Sequence, residues 1–176
     1  MIITKTPLRI SLTGGGTDLK RFYKKHGGLV FSFSINKYIY VIVRKQAEIV
    51  DFKFRINWSK SEFKNSINAI EHPIIREALK FFKVNFPIEI TTFSDIPSNT
   101  GLGSSSSFTV GLVNALSKFL KKNYNKANIA KIAAHIEINC VKRNIGKQDH
   151  YAAAYGGFNK IFFYKDDKVK IQKIKL

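Results

Sequence analysis

The chain has 176 residues, of which 44% are hydrophobic and 13% aromatic; that composition belongs to a folded domain with its own core and excludes a disordered chain. Its net charge of +18 comes from lysines scattered along the sequence rather than packed into one tract, which leaves open both a polyanionic partner such as RNA or DNA and a merely solvated basic surface. No stretch nears the roughly 18 apolar residues of a membrane span, the start MIITKTPLRI lacks the apolar run of a secretory signal, and Cys140, the one cysteine, excludes an internal disulfide and suits a reducing cytoplasm.

In chain order, residues 1–12 read as a strand that ends in Gly14-Gly15-Gly16-Thr17-Asp18, a turn no regular element holds. A short amphipathic piece follows over 19–23, and Gly27-Gly28 opens an apolar strand over 29–35. A further strand is expected over 38–43, after Asn36-Lys37. Phe52, Phe54, Ile56 and Trp58 alternate with polar residues, the period of a half-buried strand. Apolar residues three and four apart predict a helix over 73–83 with Pro73 in its first turn, and 87–93 returns to strand. Two further helices are expected, over 104–121 and 127–142, the second closing near Asn144 to Gly146. Residues 158–164 and 169–174 read as a closing hairpin around Lys165-Asp166-Asp167-Lys168. Strands gather early and helices intermingle later, so the predicted class is α+β in one domain over 1–176. Zinc is not expected, because neither a Cys-His cluster nor HExxH spacing occurs.

The chemistry concentrates in Pro97-Ser98-Asn99-Thr100-Gly101-Leu102-Gly103-Ser104-Ser105-Ser106, a glycine-serine turn between a strand and a helix. The first backbone N–H groups of a helix lack partners and carry partial positive charge, so that end favours an anion. Glycine permits close backbone approach, and serine hydroxyls suit phosphate oxygens or magnesium. It is not a Walker loop, since no Lys follows the second glycine. One serine would satisfy a helix cap; four in succession, Ser104 to Ser107, exceed that need.

These residues resemble the P-x-x-x-G-L-G-S-S-[SA] loop of the GHMP kinases, the galactokinase, homoserine, mevalonate and phosphomevalonate kinases and their relatives. The resemblance implies that Pro97, Gly101, Leu102, Gly103, Ser104, Ser105 and Ser106 wrap the triphosphate of ATP, with Ser105 a magnesium ligand. Gly146-Lys147-Gln148-Asp149, followed by Gly156-Gly157, looks like the family's segment bearing the catalytic aspartate, which makes Asp149 the base and Glu137, on the preceding helix, the magnesium carboxylate. Without the resemblance, Glu137 could equally be a solvated helix residue and Asp149 a turn residue. Pro7-Leu8-Arg9-Ile10-Ser11-Leu12-Thr13-Gly14-Gly15-Gly16-Thr17-Asp18 resembles the family's first motif, in the triple-glycine form of the subgroup acting on D-glycero-D-manno-heptose 7-phosphate. By that likeness Gly15, Gly16, Thr17 and Asp18 meet the sugar and Arg9 neutralises the transferring phosphoryl group; read alone, Gly14 to Gly16 also suit a tight turn. His150 stands where the subgroup is expected to have glutamine.

The resemblance implies a fold similar to the second domain of ribosomal protein S5, ATP and Mg²⁺ as cofactors, and a sugar or sugar phosphate as acceptor. It also implies a second, C-terminal domain that is absent here, so the chain by itself is expected to transfer phosphate weakly or not at all. A basic nucleic-acid-binding module and a non-catalytic nucleotide-binding remnant remain the alternatives. Residues that would hold adenine are unassigned, with 51–80 as a guess.

Overall fold

In the computed structural model, which describes residues 1–47, 49–97 and 100–175, one long strand organises a seven-stranded sheet. This is β2 (Gly28–Lys45). Strand β1 (Ile2–Thr13) lies antiparallel along one side of it, while β5 (Ile88–Ser94) pairs with residues 39–45 and β6 (Phe158–Phe163) with residues 28–33. The sheet extends past β5 through β3 (Phe54–Asn57), which is parallel to it, and β4 (Ser61–Lys64), and past β6 through β7 (Val169–Lys173). Apart from the β3–β5 pair the described strand pairings are antiparallel, and the α+β class expected from the sequence holds.

The two strands predicted over 29–35 and 38–43 are one. Asn36-Lys37 does not end the strand because β2 bulges there without breaking its pairing with β1: Pro7 pairs with Tyr38 and Arg9 with Ser34, so Leu8 stands against three residues of β2. Such a bulge kinks the strand and re-aims the residue beside it. Here the re-aimed residue is Arg9, whose backbone N–H bonds the Leu102 carbonyl instead of the ladder.

The described helices are α1 (Lys20–His26), α2 (Pro73–Phe81), α3 (Ser104–Phe119), α4 (Lys126–His135) and α5 (Gln148–Tyr155). Helix α2 starts with Pro73 and has its N-terminus capped by His72, whose Nδ1 accepts from the Ile75 N–H; Asn125 caps α4 in the same way. Helix α3 packs on β1 and β2 and is buried on almost every side, so its apolar residues are not confined to one face. Leu112, Val113 and Leu116 of α3 join Leu8, Val41, Val43 and Ile90 of the sheet in the main core.

Three local features depart from expectation. The helix predicted over 127–142 is α4 followed by a π-helical turn, Ile136–Cys140. Strand β4 was not evident because Phe63 is the one apolar residue in SEFK; its Glu62 turns inward since its carboxylate accepts from the Trp58 indole N–H and the backbone N–H groups of Glu71 and His72. Gln148 to Tyr155, read as a motif without an element, is a helix. No helix among the described residues is long and apolar enough to cross a membrane.

Candidate functional site

The bulge of β2 opposite Leu8 and the first turn of α5 bring Arg9 and Asp149 together at the start of α3. Arg9 Nε and Nη2 donate to the two Asp149 carboxylate oxygens at 2.6 and 2.5 Å, and Nη1 donates to the Gly101 carbonyl at 2.9 Å. Gly103 precedes α3 with φ of 73°. A side chain there would be strained by that angle, and its Cβ would lie 3.1 Å from Asp149 Oδ2 and 3.2 Å from the Arg9 guanidinium carbon. The glycine therefore lets the ion pair sit against the helix end.

Asp18 fixes the other side of Asp149. It is 2% exposed; Oδ2 accepts from the Gln148 backbone N–H at 2.9 Å and Oδ1 from the Gly16 N–H at 3.2 Å. Burial raises its pKa above the usual aspartate value, only partly offset by those backbone hydrogen bonds. Asp18 thus caps α5 from a distant segment, a bond the expected contact with sugar hydroxyls did not include. Gly16 and Asp18 face the cleft, together with the Gln148 side chain that Ser11 and Asp18 hold. Gly15 is not in its wall, and Thr17, expected to meet the sugar, is turned away. The Thr17 hydroxyl is held by the Gly14 and Leu29 carbonyls and the Leu29 N–H, and ties the glycine turn to β2.

The π-helical turn places Glu137 beneath the first turn of α3. An extra residue in one helical turn shifts the following side chains, and such turns are frequent at functional sites. The Glu137 side chain is wholly buried, yet its two oxygens have different surroundings. Oε2 lies 3.0 Å from His150 Nε2, 3.1 Å from Thr109 Oγ1 and 3.2 Å from Ser106 Oγ, facing the interior. Oε1 accepts from Ser105 Oγ at 2.5 Å and from Arg143 Nη1 at 2.9 Å, facing the cleft. Burial alone would raise the Glu137 pKa; the hydrogen bond and charge of His150, with Ser105 and Arg143, outweigh it and hold the carboxyl far below its usual range.

Two cavities meet at Ser104 and Ser105. One, of about 400 Å³, is walled by Arg9, Asp18, Gly103, Glu137 and Asp149. The other, of about 560 Å³, is apolar and lies against Trp58, His72, Phe93, Ile96 and Phe108, with Pro97 on its rim. Trp58 and His72 stack edge to face, and His72 also packs on Phe108. The Ser104 hydroxyl, at the junction, has no hydrogen-bond partner among the described residues. A third cavity adjoins the first at Leu19 and Ile145 and is edged by Lys20, Arg21, Lys24, Lys25 and Arg143. Leu102 lines neither of the two main cavities; it packs against the core and anchors Arg9. Ser98 and Asn99, in the glycine-serine segment, lie outside the described residues.

So the structure gathers Arg9, Gly16, Asp18, Gly101, Gly103 to Ser106, Glu137 and Asp149 around one cleft. Sequence reasoning missed Arg143 and His150, which hold Glu137, and named Trp58 only as part of a strand. His150 occupies the position where glutamine was expected and makes a hydrogen bond that a glutamine side chain can also donate. No sequence signal marked Arg143, one of many scattered basic residues.

Comparison with known proteins bears on this geometry. A family profile described as the GHMP kinases N terminal domain matches residues 68–157, just over half of the chain. The D-glycero-alpha-D-manno-heptose 7-phosphate kinase of Campylobacter jejuni is 33% identical over 99% of this chain and 54% of its own length. A galactokinase of Thermosipho africanus is 29% identical over 86% of this chain and 42% of its own. The crystal structure of a D-glycero-D-manno-heptose 1-phosphate kinase from Bacteroides thetaiotaomicron superposes with a TM-score of 0.89 at 28% identity, covering 100% of this chain and 60% of that one. The chain thus spans about half the length of the curated relatives it matches. With the glycine-serine loop at a helix end, the opposed Arg9–Asp149 pair and the shared fold all in agreement, this chain belongs to the GHMP kinase family, corresponding to its N-terminal domain.

Proposed function

We propose that this chain forms the ATP-binding part of a kinase that phosphorylates a hydroxyl of a sugar or sugar phosphate, with a heptose phosphate as the acceptor. The observation that carries this reading is the meeting of two unlike cavities at the N-terminus of α3. The apolar one, with Trp58, His72 and Phe108, suits a purine base; the polar one, with Asp149, suits an acceptor. Between them stand the free N–H groups of a helix end and the unpaired Ser104 hydroxyl, where a phosphate chain would lie. Phosphoryl transfer depends mainly on positioning and on neutralising a spread-out anion, and this arrangement does both.

Asp149 accepts the proton of the acceptor hydroxyl, and Arg9 holds that carboxylate in place while facing the transferred charge. Asp18 locks the first turn of α5 and so the position of Asp149. Gly101 to Ser106, with Pro97 at the rim, surround the phosphates. Ser105 Oγ and Glu137 Oε1 are hard oxygens that already share a cation, the Arg143 guanidinium, so they fit Mg²⁺, which would take its other ligands from phosphate and water. Bound there, magnesium supplies charge neutralisation for the phosphoryl group. The lysine-edged third cavity suits the phosphate of a phosphorylated sugar. A nucleic-acid role would leave the buried Glu137 network without a purpose.

The test is nucleotide binding followed by transfer. Quenching of Trp58, the one tryptophan, by ATP in the presence of Mg²⁺ is expected, and a phosphate-release-free coupled assay reads transfer to a heptose phosphate. Turnover by the 176-residue chain alone is expected to be weak, because it spans about half the relatives' length and an ångström of misplacement costs about a hundredfold. Absence of any ATP effect on Trp58, with tight salt-dependent RNA binding instead, would overturn the reading.

A further inference from the structure

The chain after the π-helical turn folds back on itself. Lys142 adopts φ of 62°, and the Arg143 backbone N–H donates to the Glu137 carbonyl at 3.1 Å. That reversal lays the Arg143 side chain over the Glu137 carboxylate, where Nη1 donates both to Glu137 Oε1 and to Ser105 Oγ. These are the two oxygens that the proposed function gives to the metal. A carboxylate wholly buried is costly without positive partners; His150 stands on the interior oxygen, and the guanidinium is the partner on the cleft-facing Oε1. Glu137 itself is pinned by three bonds to Oε2, whereas the Arg143 side chain is 41% exposed and edges both main cavities. One partner is fixed and the other is free to leave.

We infer that Arg143 is an exchangeable cation: it neutralises Glu137 in the nucleotide-free protein and yields its place on Glu137 and Ser105 to the metal that arrives with the nucleotide. This deepens the kinase reading and rests on it. Two cations cannot share Oε1 without repulsion, so free metal must compete with Arg143 for the site. The displaced guanidinium remains at the junction of the cavities, beside Ser104 and Ser105, where it meets the phosphate chain instead of the carboxylate. Arg143 is thus a positioning residue that makes metal binding depend on nucleotide, a coupling whose size is commonly 5- to 150-fold.

The test uses Mn²⁺ as the probe, read by electron paramagnetic resonance without nucleotide, in the wild type, Arg143→Gln and Arg143→Lys. Removing the competitor should tighten Mn²⁺ binding by about tenfold in Arg143→Gln, with Arg143→Lys between it and the wild type. Metal-free AMP-PNP, followed by Trp58 quenching, should bind more weakly to Arg143→Gln. Mn²⁺ affinity equal to the wild type's in whichever variants fold, checked by circular dichroism, overturns the assignment. Because that readout omits nucleotide, it is distinct from failure of the kinase reading, which would show as wild-type Trp58 unresponsive to AMP-PNP even with Mg²⁺.

Discussion

Arg9 and Asp149, 140 positions apart, meet through two nitrogen–oxygen contacts of 2.6 and 2.5 Å with Gly103 directly behind them. Arg9 is 8% exposed, so the pair is largely out of water and its partners depend on each other. Asp149→Asn is expected to lower phosphoryl transfer by about 10²- to 10⁴-fold while changing ATP affinity little. Arg9→Lys cannot reproduce the planar fork and should lose both turnover and stability. Steady-state kinetics beside Trp58 titrations check both; an Asp149→Asn variant with unchanged turnover would remove Asp149 from the reaction.

Gly146 is required by Asp18. A Cβ at Gly146 would fall 1.8 Å from Asp18 Oδ2, and that carboxylate is buried and bonded to Gln148, so it has nowhere to go. Gly146→Ala should cost about 1–3 kcal/mol and displace the first turn of α5. Combining it with Asp18→Ala should restore part of the melting temperature but not the turnover, because α5 then lacks its cap. Melting curves of the two single variants and the double variant decide this.

His72 makes part of the stability depend on pH. Burial lowers its pKa from 6.5 to about 4, against an opposing pull from Glu62. Between those two values the unfolded chain binds a proton at this position that the folded one refuses, so His72 makes stability rise with pH across that window and adds no slope above it. The neutral ring is also what allows Nδ1 to accept from the Ile75 N–H. Relative to wild type, His72→Asn should keep the helix cap and flatten the loss of stability between pH 6.5 and 4, as measured by denaturant melts at several pH values.

His150 and Glu137 form a buried pair whose removal should be graded. His150→Gln retains a donor toward Glu137 Oε2 and is expected to cost less than about 1.5 kcal/mol; His150→Ala leaves that oxygen one bond short and should cost about 1–3 kcal/mol. Glu137→Gln should preserve the fold while abolishing the Mg²⁺ dependence of ATP binding. Equal Mg²⁺ titrations for Glu137→Gln and wild type would take Glu137 out of the metal site.

Much of the fold was legible because it is local. The alternation in β3, the three-and-four spacing of α2 and α3, and the hairpin around Asp166-Asp167 reflect periodicities of the backbone itself. Elements stabilised by distant partners were not legible. Strand β4 exists because Glu62 caps the Trp58 and His72 groups, and α5 begins where Asp18 holds Gln148; neither cause leaves a pattern in its own segment.

The sequence by itself determined that a glycine-serine turn opens a helix, that an aspartate and a glutamate follow in a set order, and that three glycines close the first strand. Those are properties of neighbours along the chain, where steric freedom and helix ends act within a few residues. Only the tertiary structure decided which charges face each other: Arg9 with Asp149, Asp18 with the end of α5, His150 and Arg143 with Glu137. Electrostatic partnership depends on distance through space and on burial, and both are set by how the sheet, the bulge between β1 and β2 and the π-helical turn bring separated segments together.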